Sequence, residues 1–205
     1  LLKDPVFWRS VDCLTSGPLN IYPFVLPALF GFKIEYASVR LIGIALVVLS
    51  LFLLYVSLRY LYGRPLARLA CLPIVVYQST LFYRDFKFFS SEYVSVVLLS
   101  GALLLLVKYY CQGTKSSNVQ LFFFGFVLGL TPYAKFQSIP IAFSLFCIGV
   151  HVLWTKSVTK DFFLKRVLLV ICGGVFFSIL MAVYLSIFSL WDVFWSSYIR
   201  QNIFY

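Results

Sequence analysis

Six long apolar runs, each nearly free of charge, leave this chain few folds to choose from. They are Tyr36–Arg59, Leu66–Tyr83, Glu92–Tyr110, Val119–Tyr133, Ser138–Trp154 and Val167–Phe188. A helix rises about 1.5 Å per residue, so runs approaching 20 residues match roughly 30 Å of hydrocarbon. Lipid offers no hydrogen bonds, so a backbone crossing it has to satisfy its own amides, which a helix does. Charged residues make up only 12% of the chain, about half the usual share for a soluble domain. The expected fold is all-α, a polytopic transmembrane helix bundle of about six spans. A seventh run, Leu19–Phe30, is too short to cross and carries Pro23 and Pro27. It is expected to form an interfacial or re-entrant helix. No repeat or linker interrupts the pattern, so residues 1–205 read as one transmembrane domain. The only methionine is Met181, and the chain is expected to be a piece of a longer protein. The aromatic stretch Trp191–Tyr205 reads as an interfacial segment leading onward.

The loops sort by charge. Arg59, Arg64, Arg68, Lys108, Lys115, Lys156, Lys160, Lys165 and Arg166 fall between spans on one side, with Asp161 the only acid among them. The rest of the chain carries eight bases and six acids. The positive-inside rule puts the basic loops in the cytoplasm. Asp12, Arg84, Asp85, Lys87, Glu92, Lys135, Asp192 and Arg200 then share the opposite face. The net charge of +10 is spread over short loops rather than gathered in one patch, which speaks against nucleic acid as a partner. Five scattered cysteines without a Cys-x-x-Cys pair read as small hydrophobes, and one histidine, His151, cannot build a His-rich metal site. The chain has no Walker A loop, dinucleotide fingerprint, His-Glu-x-x-His or Gly-x-Ser-x-Gly.

Charges at membrane edges are costly to keep and therefore carry the chemical clues. Arg84-Asp85-Phe86-Lys87 precedes Ser90-Ser91-Glu92 at the start of the third span. Ser90 suits a helix cap and Glu92 suits the first turn, where a carboxylate favours the helix dipole. Glu92 equally suits a cavity, where it would orient a substrate, bind a metal or hold a base, with Arg84 and Lys87 attracting a phosphate. Lys135 lies in the reversal Thr131–Ser138, after Pro132, which is expected to end the fourth span, and before Pro140. It reads as a snorkelling lysine, a point charge for phosphate, or a partner of Glu92. Gln137 is its polar neighbour. Asp12 stands in a polar stretch before the Gly17-Pro18 turn. Arg40, one turn into the first span, either snorkels or pairs with Glu35 or Glu92. Gly125-x-x-x-Gly129 is a close-packing signal for another helix.

Taken together, Ser16-Gly17-Pro18-Leu19-Asn20-Ile21-Tyr22-Pro23, Leu29-Phe30-Gly31 and Ala37-Ser38-Val39-Arg40-Leu41-Ile42-Gly43 resemble the second-helix region of the GT-C membrane glycosyltransferases. Ser91-Glu92-Tyr93 opening a span, and Gly125-x-x-x-Gly129-Leu130 followed by Ala134-Lys135-Phe136-Gln137, extend the likeness over about three quarters of the chain. The nearest branch is similar to protein O-mannosyltransferases, the aminoarabinose transferase of lipid A and lipopolysaccharide-core glycosyltransferases. The resemblance implies transfer of a sugar from a polyprenyl-phosphate donor to a lipid, glycan or protein acceptor at the outer membrane face. It implies a carboxylate base, for which Glu92 and Asp12 are the candidates. It implies basic and polar residues around the lipid phosphate, here Lys135, Arg84, Lys87, Gln137 and Arg40. The family's main catalytic Asp belongs to an outer loop after a first helix that this piece is expected to lack, along with any C-terminal part. Thr15-Ser16-Gly17-Pro18 stands where the aminoarabinose branch has Glu-Lys-Pro-Pro, so a metal or phosphate role there is not carried over. No cofactor is assigned, and a divalent metal is left open. The implied setting is a multi-pass protein of the bacterial inner membrane. The competing reading is a transporter or flippase for a lipid-linked or small polar substrate, which would place charges at mid-membrane.

Overall fold

A computed structural model describes residues 3–11, 16–80, 90–113, 117–157 and 159–204. Its elements are α1 (Pro18–Leu29), α2 (Tyr36–Thr80), α3 (Tyr93–Gln112), α4 (Asn118–Ala134), α5 (Ile139–Lys156) and α6 (Lys160–Ile187). A chain of short turns follows: Trp191–Val193, a π-helical stretch Phe194–Arg200, and Gln201–Phe204. The expected all-α fold is what forms. Among the described residues, four helices are long and apolar enough to cross a membrane: α2, α3, α5 with its leading turn, and α6. The run read as an interfacial or re-entrant segment is helix α1, with Pro18 in its first turn and Pro23 and Pro27 inside.

The first expected span and the described part of the second both lie in α2. The loop anticipated between them shrinks to one non-helical residue, Gly63, at φ 81° and ψ 175°. That backbone region is essentially closed to residues with a Cβ. Pro65 follows, in a first turn that lacks a use for its missing N–H. Leu51, Phe52 and Tyr55 of the first arm share a cleft with Cys71, Leu72 and Val75 of the second, so the helix folds back on itself.

The helix α4 outruns its expected end. Pro132 does not terminate it; two more residues stay helical, because the Lys135 N–H reaches Thr131 O at 3.0 Å and closes the last turn around the proline ring. Its start is fixed by Ser117, whose hydroxyl accepts from Gln120 N at 3.2 Å. Thr159 caps α6 in the same way, accepting from Phe162 N at 3.3 Å.

Helices α4 and α6 form the tightest pair. A Cβ on Gly125 would stand 1.9 Å from Val170 O, one on Gly129 2.1 Å from Gly174 O, and one on Gly173 2.1 Å from Phe122 O. Backbones meet there directly, which is how helices associate where lipid supplies no hydrophobic drive. Ala102, Leu106, Tyr109, Leu121, Phe124, Leu128, Ala142, Leu153 and Val170 fill one core among α3 to α6. A second core, of Phe7, Trp8, Met181, Leu185, Leu190 and Tyr198, seats the chain's first residues against the far end of α6 and the π-helical stretch.

Arg166 departs from its reading as a loop cation. It is buried in α6, donates to the Tyr109 hydroxyl, and lies 4.0 Å from the Phe162 ring centroid and 5.2 Å from that of Tyr109. Cation–π contact and the hydroxyl offset its desolvation. Lys156 over Tyr110 (4.6 Å) and Lys108 over Tyr60 (5.8 Å) gather at the same end of the bundle.

Candidate functional site

At the opposite end, three chain segments meet. The first runs from Ser16 to Asn20. Ser16 forms an isolated antiparallel bridge with Lys135, and Gly17 N donates to Ala134 O at 3.0 Å. Ala134 O ends α4 and has no partner in its own helix, so the incoming segment caps it. The approach needs glycine: a Cβ at residue 17 would fall 1.9 Å from Tyr133 O. Pro18 then starts α1, and Asn20 follows, fully buried. Its Nδ2 donates to Ala134 O and to Ser91 O, each at 2.7 Å.

The second segment is the turn Ser90–Glu92 that opens α3. Tyr93 N reaches back to Ser90 O at 3.1 Å, and Glu92 occupies the cap position without capping a backbone amide. Its carboxylate instead accepts from the Ser90 hydroxyl at Oε2 and from Lys135 Nζ at Oε1. The third segment is Lys135 itself. It is extended, at φ −150° and ψ 122°, between α4 and the 3₁₀ turn Phe136–Ser138. Its ammonium also donates to Ser91 Oγ at 2.8 Å. The lysine side chain is 14% exposed and that of Glu92 54%, so the cation is set back while the carboxylate faces outward. An ion pair with one open oxygen-bearing side can exchange partners, unlike a sealed one.

The surroundings are aromatic. Tyr198, in the π-helical stretch, donates its hydroxyl to Pro132 O, and burial pushes that phenol upward from its ordinary range. Trp8 meets Phe194 edge-on at 5.0 Å. Phe7 N donates to the Tyr184 hydroxyl at 2.8 Å. Arg9 pairs with Asp4 at 2.7 Å. The hydrogen bond from Arg9, then that from Val6 N, holds the Asp4 carboxyl down at about 2.

Of the expected site residues, the structure brings Glu92 and Lys135 together. Gln137 is exposed in the adjoining 3₁₀ turn. Arg40 is exposed on α2, and among the described residues neither Glu35 nor Glu92 pairs with it. Asp12, Arg84 and Lys87 lie outside the described residues. Among those described, no three Asp, Glu, His or Cys side chains gather into a metal-binding group, and Glu92 is the carboxylate the pair would offer to a cation. Asn20, Ser91 and Tyr198 were not singled out by sequence. Asn20 did sit in a recognisable Gly-Pro-Leu-Asn string, but nothing local shows that its amide reaches two carbonyls far along the chain.

No curated protein and no solved structure matches the chain. A family profile does match, that of the dolichyl-phosphate-mannose-protein mannosyltransferases, over residues 25–187, which takes in both Glu92 and Lys135. With its long apolar helices and that match over most of its length, the chain belongs to this family of GT-C membrane glycosyltransferases.

Proposed function

We propose that the protein moves a sugar from a polyprenyl-phosphate donor to a hydroxyl of a lipid, glycan or protein acceptor, at the non-cytoplasmic face of a bacterial inner membrane. The single observation that carries this reading is the ion pair of Glu92 and Lys135, seated between helix ends with the carboxylate turned outward. The acceptor oxygen attacks the anomeric carbon. The bond from that carbon to the phosphate oxygen breaks, and the lipid phosphate leaves with the electron pair. The acceptor's proton passes to a carboxylate, for which Glu92 and Asp12 are the candidates, and the anomeric configuration inverts.

Lys135 fits the leaving group. An ammonium held by Ser91 Oγ keeps its place when a phosphate replaces Glu92 as its charged partner. The exchange frees the Glu92 carboxylate to accept a proton. Arg84 and Lys87 precede Glu92 in sequence and belong to the same proposal, as do Gln137 and Arg40. The same proposal gives the lipid part of the donor an apolar seat. A cleft of about 550 Å³ lies between the end of α1 and the start of α2, walled by Leu26, Pro27, Phe30, Leu41 and Ile42 with Lys33 and Glu35 at hand. From Asn20 to Phe30 is ten residues of mostly helical chain, roughly 15 Å, a distance an isoprenoid chain covers.

The test is transfer of labelled sugar from a lipid-phosphate donor by the full-length protein. E92Q removes the base without changing shape and is expected to lower turnover by about 10²–10⁴-fold. K135A removes the phosphate's counter-charge and is expected to cost about 10²–10³-fold. Wild-type turnover in both variants sinks the assignment of these two residues.

A further inference from the structure

We infer that Asn20 is a positioning residue: its side-chain amide sets the distance between Glu92 and Lys135 by holding the backbone carbonyls that precede them. The consequence for turnover rests on the glycosyl-transfer reading; the geometry does not.

Ser91 O and Ala134 O are each one residue upstream of a site side chain. Neither belongs to a helical ladder. Ser91 lies in the turn before α3, whose first cross-turn bond runs from Val96 N to Glu92 O. Ala134 ends α4. Two carbonyl dipoles facing each other repel unless a group with two donors stands between them. A primary amide nitrogen has two N–H donors, and Asn20 Nδ2 spends one on each, both at 2.7 Å. Gly17 N supplies a second donor to Ala134 O at 3.0 Å, which fills that oxygen's remaining lone pair. Asn20 Oδ1 is buried and accepts from none of the described residues, so what the side chain contributes here is its N–H pair. The opposite orientation of the amide would press three oxygens together.

The residue type follows. Aspartate has the same shape and no donors, and at this position would aim a charged oxygen at two carbonyls. Leucine would take from Ser91 O the donor it has here and leave Ala134 O with Gly17 N alone. Pro18 and the Gly17 approach fix the backbone of the segment. The amide therefore reaches its two targets from a rigid base, and the α3 and α4 ends cannot drift apart without breaking a bond.

Two measurements on the full-length protein test this. In the first, E92C and K135C are introduced together on a background without native cysteines. A short bifunctional thiol reagent is applied to membranes without substrate, below the melting temperature of every variant. N20D and N20L are each expected to lose most of the crosslink obtained with Asn20. In the second, N20D is placed in the otherwise unaltered enzyme and transfer is followed against donor concentration. Donor KM is expected to rise by about tenfold, alongside a fall in kcat of up to about 100-fold. A reduced folded fraction lowers apparent kcat but leaves KM where it was. An unchanged crosslink together with an unchanged KM in folded N20D overturns the inference, even if E92Q and K135A are inactive. Failure of both N20D and N20L to give folded protein also overturns it, since Asn20 would then serve the whole fold. If the crosslink is lost in N20D while E92Q and K135A transfer normally, the positioning role stands and the catalytic reading of the pair falls.

Discussion

Asn20, Lys135 and Glu92 show how much a few polar atoms decide in a chain this apolar. Each sits where water or a partner offsets its desolvation, and each is tied to a helix end rather than a helix middle. The Asp4–Arg9 pair does the same for the first residues, closing a short loop that seats Phe7 and Trp8 in the second core. Its pH dependence has a definite sign. The Asp4 carboxyl is held at about 2 against an ordinary 3.8, so the folded state binds its proton less readily than the unfolded state. The stabilisation is present above pH 3.8 and drains away as pH falls toward 2. D4N cannot show this. Melting of purified protein in detergent should place D4N below wild type at pH 6, with the gap closing between pH 4 and pH 2. A gap that stays constant across that range removes the ion pair as its source. Because the Arg9 side chain is 53% exposed and that of Asp4 31%, water screens the pair and the gap at pH 6 is expected to be small.

At the level of elements, the length of the apolar runs and glycine spacing were readable, and long-range polar contacts were not. The described parts of the apolar runs fall almost wholly on helix, and Gly125-x-x-x-Gly129 announced the face that meets α6. The shared end of Glu92 and Lys135 was legible too, because alternating loops put them on one side. Arg166 was misread because a base near other bases looks like a loop, while its partner Tyr109 is 57 residues away and carries no local mark. Pro132 misled for a related reason: a proline in a last turn forfeits only one bond, and the turn closes past it. Two predictions belong here. G129A forces a Cβ to within 2.1 Å of Gly174 O, a backbone atom that cannot swing aside. The cost is expected at about 1–3 kcal/mol. G101A is the control, with its nearest neighbours at 4.0 Å, and should melt at or above the wild-type temperature because alanine favours helix. Equal melting of G129A and G101A would remove the close α4–α6 crossing. G63A probes the other joint. It asks a Cβ to adopt φ 81°, and should lower stability by about 1–3 kcal/mol although nothing lies within 4 Å of the position. A neutral G63A would mean that the two arms of α2 meet in some other conformation.

The molecule as a whole is polarised along its length. Arg166, Lys156 and Lys108 stack on aromatic rings at one end, and Glu92, Lys135 and the Gly17–Asn20 segment meet at the other. Successive helices α3 to α6 run alternately between the two ends, so the chain's own connectivity keeps basic loops apart from the candidate site. The positive-inside rule, applied to these loops, predicts that the Lys- and Arg-rich end faces the cytoplasm and the end bearing Glu92 and Lys135 faces outward. Single cysteines on the full-length protein in intact cells test this directly. R64C and K160C should react with a membrane-impermeant thiol reagent only after the cells are opened. Q137C, exposed beside Lys135 but outside its hydrogen bonds, should react from outside. The reverse pattern would turn the site toward the cytoplasm and remove the outer-face acceptor from the proposal, while leaving the ion pair and its amide clamp as they are. A mixed pattern, with R64C and Q137C labelled from the same side, would be more damaging. It would mean that a span is missing between them, and that the bundle does not separate its charges as its helix order requires.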